Sequence, residues 1–187
     1  LTLFDTILGY WLFSGIAALW IMLPAYVPNS AAAVLGGGTP IDFGKTFRDG
    51  RRIFGDGKTY RGFIGGVVSG VLLGLIQIWA ASAFGLDLFP QHTFLSVTLL
   101  ATGALLGDLV KSFLKRRLGK ERGESWPIAD QYDLVVGSFL LLLLFDPRWL
   151  LENLTFPIAV WIVVMTPLLH RIVNIIGYYI GVKEVPW

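Results

Sequence analysis

The sequence predicts an all-α polytopic membrane protein, with five transmembrane helices and two polar loops that meet at one end. Three observations carry this. Of the 187 residues 55% are hydrophobic and 15% charged, with a mean hydropathy of +0.67, which excludes an ordinary soluble domain. Several apolar runs reach the roughly 20 residues that a bilayer-spanning helix needs. The cations cluster: 12 of the 15 Lys and Arg fall in two polar inserts between apolar runs. At this size the chain reads as one domain, residues 1–187. It has no cysteine, which removes disulfides, thiolate nucleophiles and thiolate metal sites.

The first span covers about residues 3–27 and ends at Pro24 and Pro28. Its apolar start lacks a basic leader region, so it reads as a retained span and not a signal peptide. A polar loop, about 28–61, follows. The second span, about 62–84, carries Gly62, Gly66, Gly70 and Gly74 at every fourth position. Such a seam lets another helix approach closely in lipid, and pairing of two copies in a homodimer is its competing use. The third span, about 94–114, has its own Gly103 and Gly107, and a second polar loop, about 115–130, comes next. The fourth run, 131–146, is short for a span. The fifth, about 157–180, is interrupted by Pro167, His170, Arg171 and Asn174. His170 has no cysteine or second histidine near it and reads as a packing residue.

Five spans put the termini on opposite sides of the bilayer. The segments that must share the face away from the loops (1–2, 85–93 and 146–156) contain only Arg148; the other cations outside the inserts are Arg171 and Lys183. Positive-inside bias therefore predicts a multi-pass protein of the cell membrane, with both loops and the C-terminus cytoplasmic and the N-terminus outside.

The first loop, NSAAAVLGGGTPIDFGKTFRDGRRIFGDGKTYRG from Asn29 to Gly62, mixes Lys45, Arg48, Arg51, Arg52, Lys58 and Arg61 with Asp42, Asp49 and Asp56. Positive-inside bias explains the cations alone. It does not explain Gly36, Gly37, Gly38, Gly44, Gly50, Gly55 and Gly57 among them. Glycines let backbone N–H groups approach an anion, and Lys and Arg supply countercharge, so the loop reads as a phosphate holder. It is not a Walker loop: Arg52 stands where the first glycine is needed, and no strand precedes it.

At the end of the third span Asp108, Lys111, Ser112 and Lys115 share one helix face. Asp130 and Asp133 repeat an i, i+3 spacing at the start of the fourth run. A charge at bilayer depth costs roughly 2.5–3.5 kcal/mol, so unpaired ones are rare. Asp108, Asp130 and Asp133 form a candidate oxygen-only metal site, which favours Mg²⁺. The alternative is a set of ion pairs, Asp108 with Lys111 and Asp133 with Arg116 or Arg117. Both stand open on the residues alone.

Cations, glycines and a hard metal, without an evident base or nucleophile, suit a transfer whose attacking group is already an anion. Phosphate attacking the α-phosphorus of a nucleoside triphosphate is such a reaction, with catalysis reduced to positioning and charge neutralisation. The two cytoplasmic loops then form the active site, and nucleic acid is not a partner. The other class is a small membrane transporter or anionic-lipid binder with no nucleotidyl transfer. That class calls for polar residues along the middle of several spans, and here they gather at the span ends.

Four segments closely resemble the archaeal CDP-archaeol synthase family: Asn29–Ala31, Gly36–Asp42, Asp49–Arg52 and Gly55–Gly62. Ser112–Arg116, Pro127 and Asp130–Asp133 are similar to the wider phosphatidate cytidylyltransferase signature. The likeness runs from about Asn29 to Gly137. It implies CTP and an unsaturated archaeol phosphate (digeranylgeranylglyceryl phosphate) as substrates, CDP-archaeol and pyrophosphate as products, and Mg²⁺ as cofactor. By matching position it makes Asp108, Asp130 and Asp133 the metal and catalytic carboxylates, with Lys111, Lys115 and Arg116 on phosphates. Gly55, Gly57, Lys58, Thr59 and Arg61 hold the triphosphate, with Gly36, Gly37 and Gly38 in the same nucleotide site. Asn29, Asp42, Arg48 and Arg52 serve the base, the ribose or the order of the loop. The wider signature has histidine and two glycines before its acidic pair and arginine within it. Here Ile128 and Ala129 precede Asp130, and Gln131 follows it, so roles of those groups do not transfer. A lipid substrate requires a lateral opening between spans, where Arg171 and Asn174 are either headgroup contacts or a packing pair.

Overall fold

Two prolines inside the first helix govern how the other helices lie against it. The structure, a computed structural model, describes residues 3–182 and 185; residues 1–2 and Lys183, used in the charge count, lie outside the described residues. Helix α1 (Leu3–Leu35) continues through Pro24 and Pro28. Proline has no N–H, so the carbonyls of Trp20 and Pro24, four residues earlier, lose their helical donors. Gln77 Nε2 on α2 (Tyr60–Phe84) donates to the Trp20 carbonyl at 2.9 Å, and His92 Nε2 at 3.2 Å. The Pro24 carbonyl faces Gly70 so closely that a Cβ there would lie 2.6 Å from it. A Cβ at Gly66 would lie 2.6 Å from the Pro28 carbonyl, and one at Gly74 2.4 Å from Val97 on α3 (Phe94–Arg117). The four-glycine seam is thus used within one chain, against α1 and α3, and not to pair two copies.

Helix α3 lies almost backbone to backbone on α4 (Pro127–Phe145). A Cβ at Gly107 would meet the Asp133 carbonyl at 2.0 Å, and one at Gly137 the Gly103 carbonyl at 2.1 Å. Ser138 Oγ donates to the Leu100 carbonyl at 2.8 Å in the same interface. A short α5 (Pro147–Asn153) turns the chain into α6 (Phe156–Tyr179), which packs on α1. Trp161 Nε1 donates to the Trp11 carbonyl at 2.8 Å, and the Tyr26 and Thr166 hydroxyls pair at 2.8 Å. Met22, Leu100, Leu142 and Ile162 close the centre of the bundle.

Five helices (α1, α2, α3, α4 and α6) are long and apolar enough to cross a membrane. Leu72, Ile76, Val136, Leu143 and Val164 point outward, as lipid-facing residues do. Among the described residues the secondary structure is helical, apart from isolated β-bridges joining Pro40 to Thr59 and Thr46 to Arg52.

Four boundaries differ from the sequence reading. α3 runs past the expected end near residue 114 to Arg117, so Lys115, Arg116 and Arg117 belong to its last turn and not to the second loop. α1 does not stop near Val27 but reaches Leu35, because close contacts with α2 cover the carbonyls that the prolines expose; Asn29 is therefore helical. α4 begins at Pro127, a residue suited to the first helical position, so Asp130 and Asp133 stand in its first two turns. α5 starts at Pro147 in the same way, with the Asp146 carboxylate accepting from Trp149 N at 3.3 Å.

Candidate functional site

The first loop is held together by a buried carboxylate. Asp42 Oδ2 accepts from the N–H groups of Phe54 and Gly55, each at 3.0 Å, and Oδ1 accepts from Gly44 N at 3.1 Å. Arg52 adds Nη2 to Oδ1 at 2.7 Å and reaches Asp56 with Nη1 at 2.5 Å. Burial alone would push the Asp42 carboxyl up; the Arg52 guanidinium and the three N–H groups instead hold it well below the usual carboxylate range. These contacts tie Asp42 and Arg52 to the loop itself. The two ends of this loop meet through Ile41 N donating to the Lys58 carbonyl at 2.8 Å and Tyr60 N to the Thr39 carbonyl at 3.2 Å. Thr59 caps α2, its hydroxyl accepting from Gly62 N at 3.1 Å.

The C-terminal end of α3, where the second loop leaves it, docks on the first loop. Arg51 Nη1 donates to the carbonyls of Arg116 at 3.2 Å and Arg117 at 3.1 Å, at the C-terminal end of α3. Arg117 returns Nη2 to the carbonyls of Arg51 and Arg52 at 3.2 and 2.6 Å, pairs with Asp49 at 3.0 Å, and lies 4.9 Å over the rings of Phe47 and Phe113.

This docking brings the charged groups together. Lys111 Nζ sits among three carboxylates, 3.1 Å from Asp108, 3.3 Å from Asp130 and 2.7 Å from Asp133. Lys58, delivered by the glycine-rich loop, pairs with the other oxygen of Asp108. Lys115 lies 3.1 Å from Asp130 and also donates to the Glu124 carbonyl. Asp130 in turn accepts from Trp126 N at 2.6 Å. Among the described residues, no three acidic or imidazole side chains are gathered as a metal cage. The ion-pair alternative fits in part: Asp108 pairs with Lys111 as that alternative held, but Asp133 pairs with Lys111 and not with Arg116 or Arg117.

The cluster lines a cavity of about 280 Å³. Its walls include Asp108, Lys111, Lys115, Asp130 and Asp133 on α3 and α4, Gly57, Lys58 and Thr59 from the loop, and Asn29 from α1. A second cavity of about 670 Å³ lies beside it between α1 and α6, lined largely by Leu19, Leu23, Val27, Val34, Leu169 and Val173. Asn29, His170 and Asn174 belong to the walls of both.

With this geometry in view, the relatives are informative. The sequence profile of the CarS-like CDP-archaeol synthases matches residues 11–187. The chain belongs to this family. It is 82% identical over 166 residues to a CDP-archaeol synthase of Methanoculleus marisnigri, and 64% identical over 166 residues to one of Methanoregula boonei; each match covers 89% of this chain and all of the relative. A solved structure, described as an intramembrane enzyme for archaeal membrane lipids biosynthesis, is similar with a TM-score of 0.68 at 36% identity, covering 84% of this chain and 92% of the other. With five membrane-spanning helices, the chain is a multi-pass membrane protein.

Not every residue that the family resemblance marked is brought to the polar cavity. Among the described residues, Gly36, Gly37, Gly38, Asp42, Arg48, Arg52, Gly55, Arg61 and Arg116 lie outside its walls, with Arg48 and Arg61 exposed. Gly36 instead lets the end of α1 tighten, since a Cβ there would lie 2.8 Å from the Ala32 carbonyl. One wall residue was read differently from sequence. His170 was read as packing, and it faces both cavities. Asn174 pairs with it, while Arg171 points outward. Nothing in the spacing of residues 170–174 marked that division; it follows from the rotation of α6 against α1.

Proposed function

We propose that this protein transfers the cytidylyl group of CTP to an unsaturated archaeol phosphate, giving CDP-archaeol and pyrophosphate. The observation that carries this reading is the adjacency of two cavities, one charged and fed by the glycine-rich loop through Lys58, the other apolar and set between two spans. A triphosphate suits the first and isoprenoid chains the second, so the lipid phosphate would meet the nucleotide where they join. The apolar cavity is then the lateral way in from the membrane.

In this reading Lys58, Lys111 and Lys115 neutralise the triphosphate, and Asp108 orients two of them by pairing with both. An oxygen of the lipid phosphate attacks the α-phosphorus. The bond from the α-phosphorus to the bridging oxygen breaks, and pyrophosphate carries away the electron pair. The attacking group is an anion, so no general base is required. Water is excluded on the lipid side by the apolar wall.

Magnesium fits the donors here. Asp108, Asp130 and Asp133 already share one cation, the Lys111 ammonium, within 3.3 Å. Mg²⁺ usually takes only one or two protein carboxylates and fills its shell with phosphate oxygens and water, so a preformed cage is not needed. When bound it would supply charge neutralisation at the phosphoryl oxygens. Positive-inside bias supports loops and C-terminus in the cytoplasm, where CTP is, and an outside N-terminus. A transporter is disfavoured because Met22, Leu100 and Leu142 fill the bundle beyond the charged end.

The deciding experiment incubates the purified protein with labelled CTP, Mg²⁺ and digeranylgeranylglyceryl phosphate. A labelled CDP-lipid with release of pyrophosphate is expected. Absence of product with both substrates and the metal present would end this reading.

A further inference from the structure

Three polar side chains, two amides and an imidazole, occupy the seam between the two cavities. Asn29 stands on α1, and His170 and Asn174 stand one turn apart on α6. The Asn174 amide nitrogen lies 3.3 and 3.2 Å from the two ring nitrogens of His170, and Asn174 itself is buried. Asn29 Oδ1 is buried and has no hydrogen-bond partner among the described residues. A buried amide oxygen without a partner is costly, and the cost disappears when a ligand meets it. Half a turn about its last torsion gives the same position an N–H donor.

We infer that Asn29, His170 and Asn174 form the subsite for the phosphoglycerol headgroup of the lipid substrate and position its phosphate for attack. The inference rests on the proposed transfer and adds which side chains hold the nucleophile. Its physical basis is a division of charge. Lys58, Lys111 and Lys115 lie with Asp108, Asp130 and Asp133 in the polar cavity, where the leaving pyrophosphate needs cations. The seam residues are amides and an imidazole. No Lys or Arg is among them, and amide donors hold a phosphate by direction while leaving its charge available, whereas an ammonium in direct contact would reduce its nucleophilicity. The position is also set by the lipid: chains in the apolar cavity and phosphorus beside the nucleotide leave the headgroup only the seam.

The test measures steady-state kinetics in mixed micelles with each substrate varied, and CTP affinity separately by titration. The variants are His170→Leu, His170→Gln and Asn29→Leu. His170→Leu and Asn29→Leu are expected to raise KM for the lipid phosphate, or lower kcat/KM for it, by about tenfold or more, as for a lost hydrogen bond to an anion. CTP affinity should stay within about threefold, and His170→Gln, which keeps a donor, should recover much of the lipid term. Retained CTP binding also certifies that a variant has folded; if His170→Leu does not fold, the Asn29→Leu and His170→Gln results decide. Unchanged lipid kinetics in folded variants, or a loss that falls equally on CTP, overturns the subsite and leaves the transfer reaction standing. A wild-type protein that makes no CDP-lipid overturns both.

Discussion

Arg51 and Arg117 exchange hydrogen bonds with each other's main chain: Arg51 Nη1 reaches the Arg117 carbonyl at 3.1 Å, and Arg117 Nη2 reaches the Arg51 carbonyl at 3.2 Å. This reciprocal clasp joins the first polar loop to the end of α3, from which the second loop departs, and it also covers carbonyls that the end of α3 leaves without helical donors. Arg117→Ala removes its half of the clasp, the Asp49 pair and the stacking on Phe47 and Phe113. The expected outcome is CTP binding weakened by about tenfold or more, with faster proteolysis within residues 36–59. Titration and a digestion time course check it, and wild-type behaviour in both would show that the loops hold without the clasp.

Lys58 is the charge that the glycine-rich loop delivers to the cavity, and Asp108 receives it. Lys58→Ala should lower CTP affinity by about tenfold to a hundredfold, because a charge-assisted contact to phosphate is lost. The fold should survive, since Lys111 still pairs with Asp108 at 3.1 Å. Isothermal titration alongside a thermal melt separates these effects. An unaltered CTP affinity would remove the loop from the triphosphate site.

Asp133 is buried and bonded to Lys111 at 2.7 Å. Asp133→Asn keeps the shape and removes the charge, so turnover should fall by about a hundredfold or more while part of the CTP affinity remains. Asp130→Asn should act in the same direction. Activity measured across a Mg²⁺ titration gives a second reading, in which the metal requirement rises in either variant. Full turnover in both would detach these carboxylates from the chemistry.

How much of this was legible follows from range. The all-helical membrane fold was written in runs of apolar residues, and the charged site in local i, i+3 and i+4 spacings such as Asp108 with Lys111. Whether Lys111 would meet Asp130 and Asp133 was not, because that depends on α3 and α4 approaching through Gly103, Gly107 and Gly137, far apart in sequence. The seam at Gly62–Gly74 was visible as a contact face, but its partner was not; Pro24 and Pro28 choose it by baring carbonyls on α1. His170 looked like a packing residue for the same reason. Its place depends on the rotation of α6, which no local pattern records.

The α3–α4 approach can be tested on its own. A methyl group at Gly107 would lie 2.0 Å from the Asp133 carbonyl, and neither backbone can yield without moving Asp133 away from Lys111. Gly107→Ala is expected to destabilise by about 3 kcal/mol or more, or to block folding, through overpacking. Gly9→Ala is the control: nothing lies within 4 Å of a Cβ there, and alanine favours a helix by up to about 1 kcal/mol. Thermal unfolding in one detergent compares the two. Equal midpoints would mean that the helices are not in the close contact described.

At the opposite end, in the 85–93 segment between α2 and α3, His92 lies between two indoles, 6.4 Å from the Trp20 ring and 5.5 Å from that of Trp149. The Trp20 carbonyl only accepts, so His92 Nε2 is the donor and Nδ1 is the bare nitrogen, buried without a partner among the described residues. Burial lowers its pKa from 6.5 to about 4, against a smaller opposing effect of the Trp20 carbonyl. The unfolded chain therefore binds this proton more readily than the folded one between those two values. Stability is fully present above pH 6.5 and is lost as pH falls through about 4, by up to about 3 kcal/mol over that interval. His92→Gln keeps a donor for the Trp20 carbonyl and cannot titrate. Unfolding midpoints should show the wild type losing stability relative to this variant only as the pH drops from 6.5 towards 4. Parallel curves across that window would mean that His92 is already charged in the folded state, or that water reaches it.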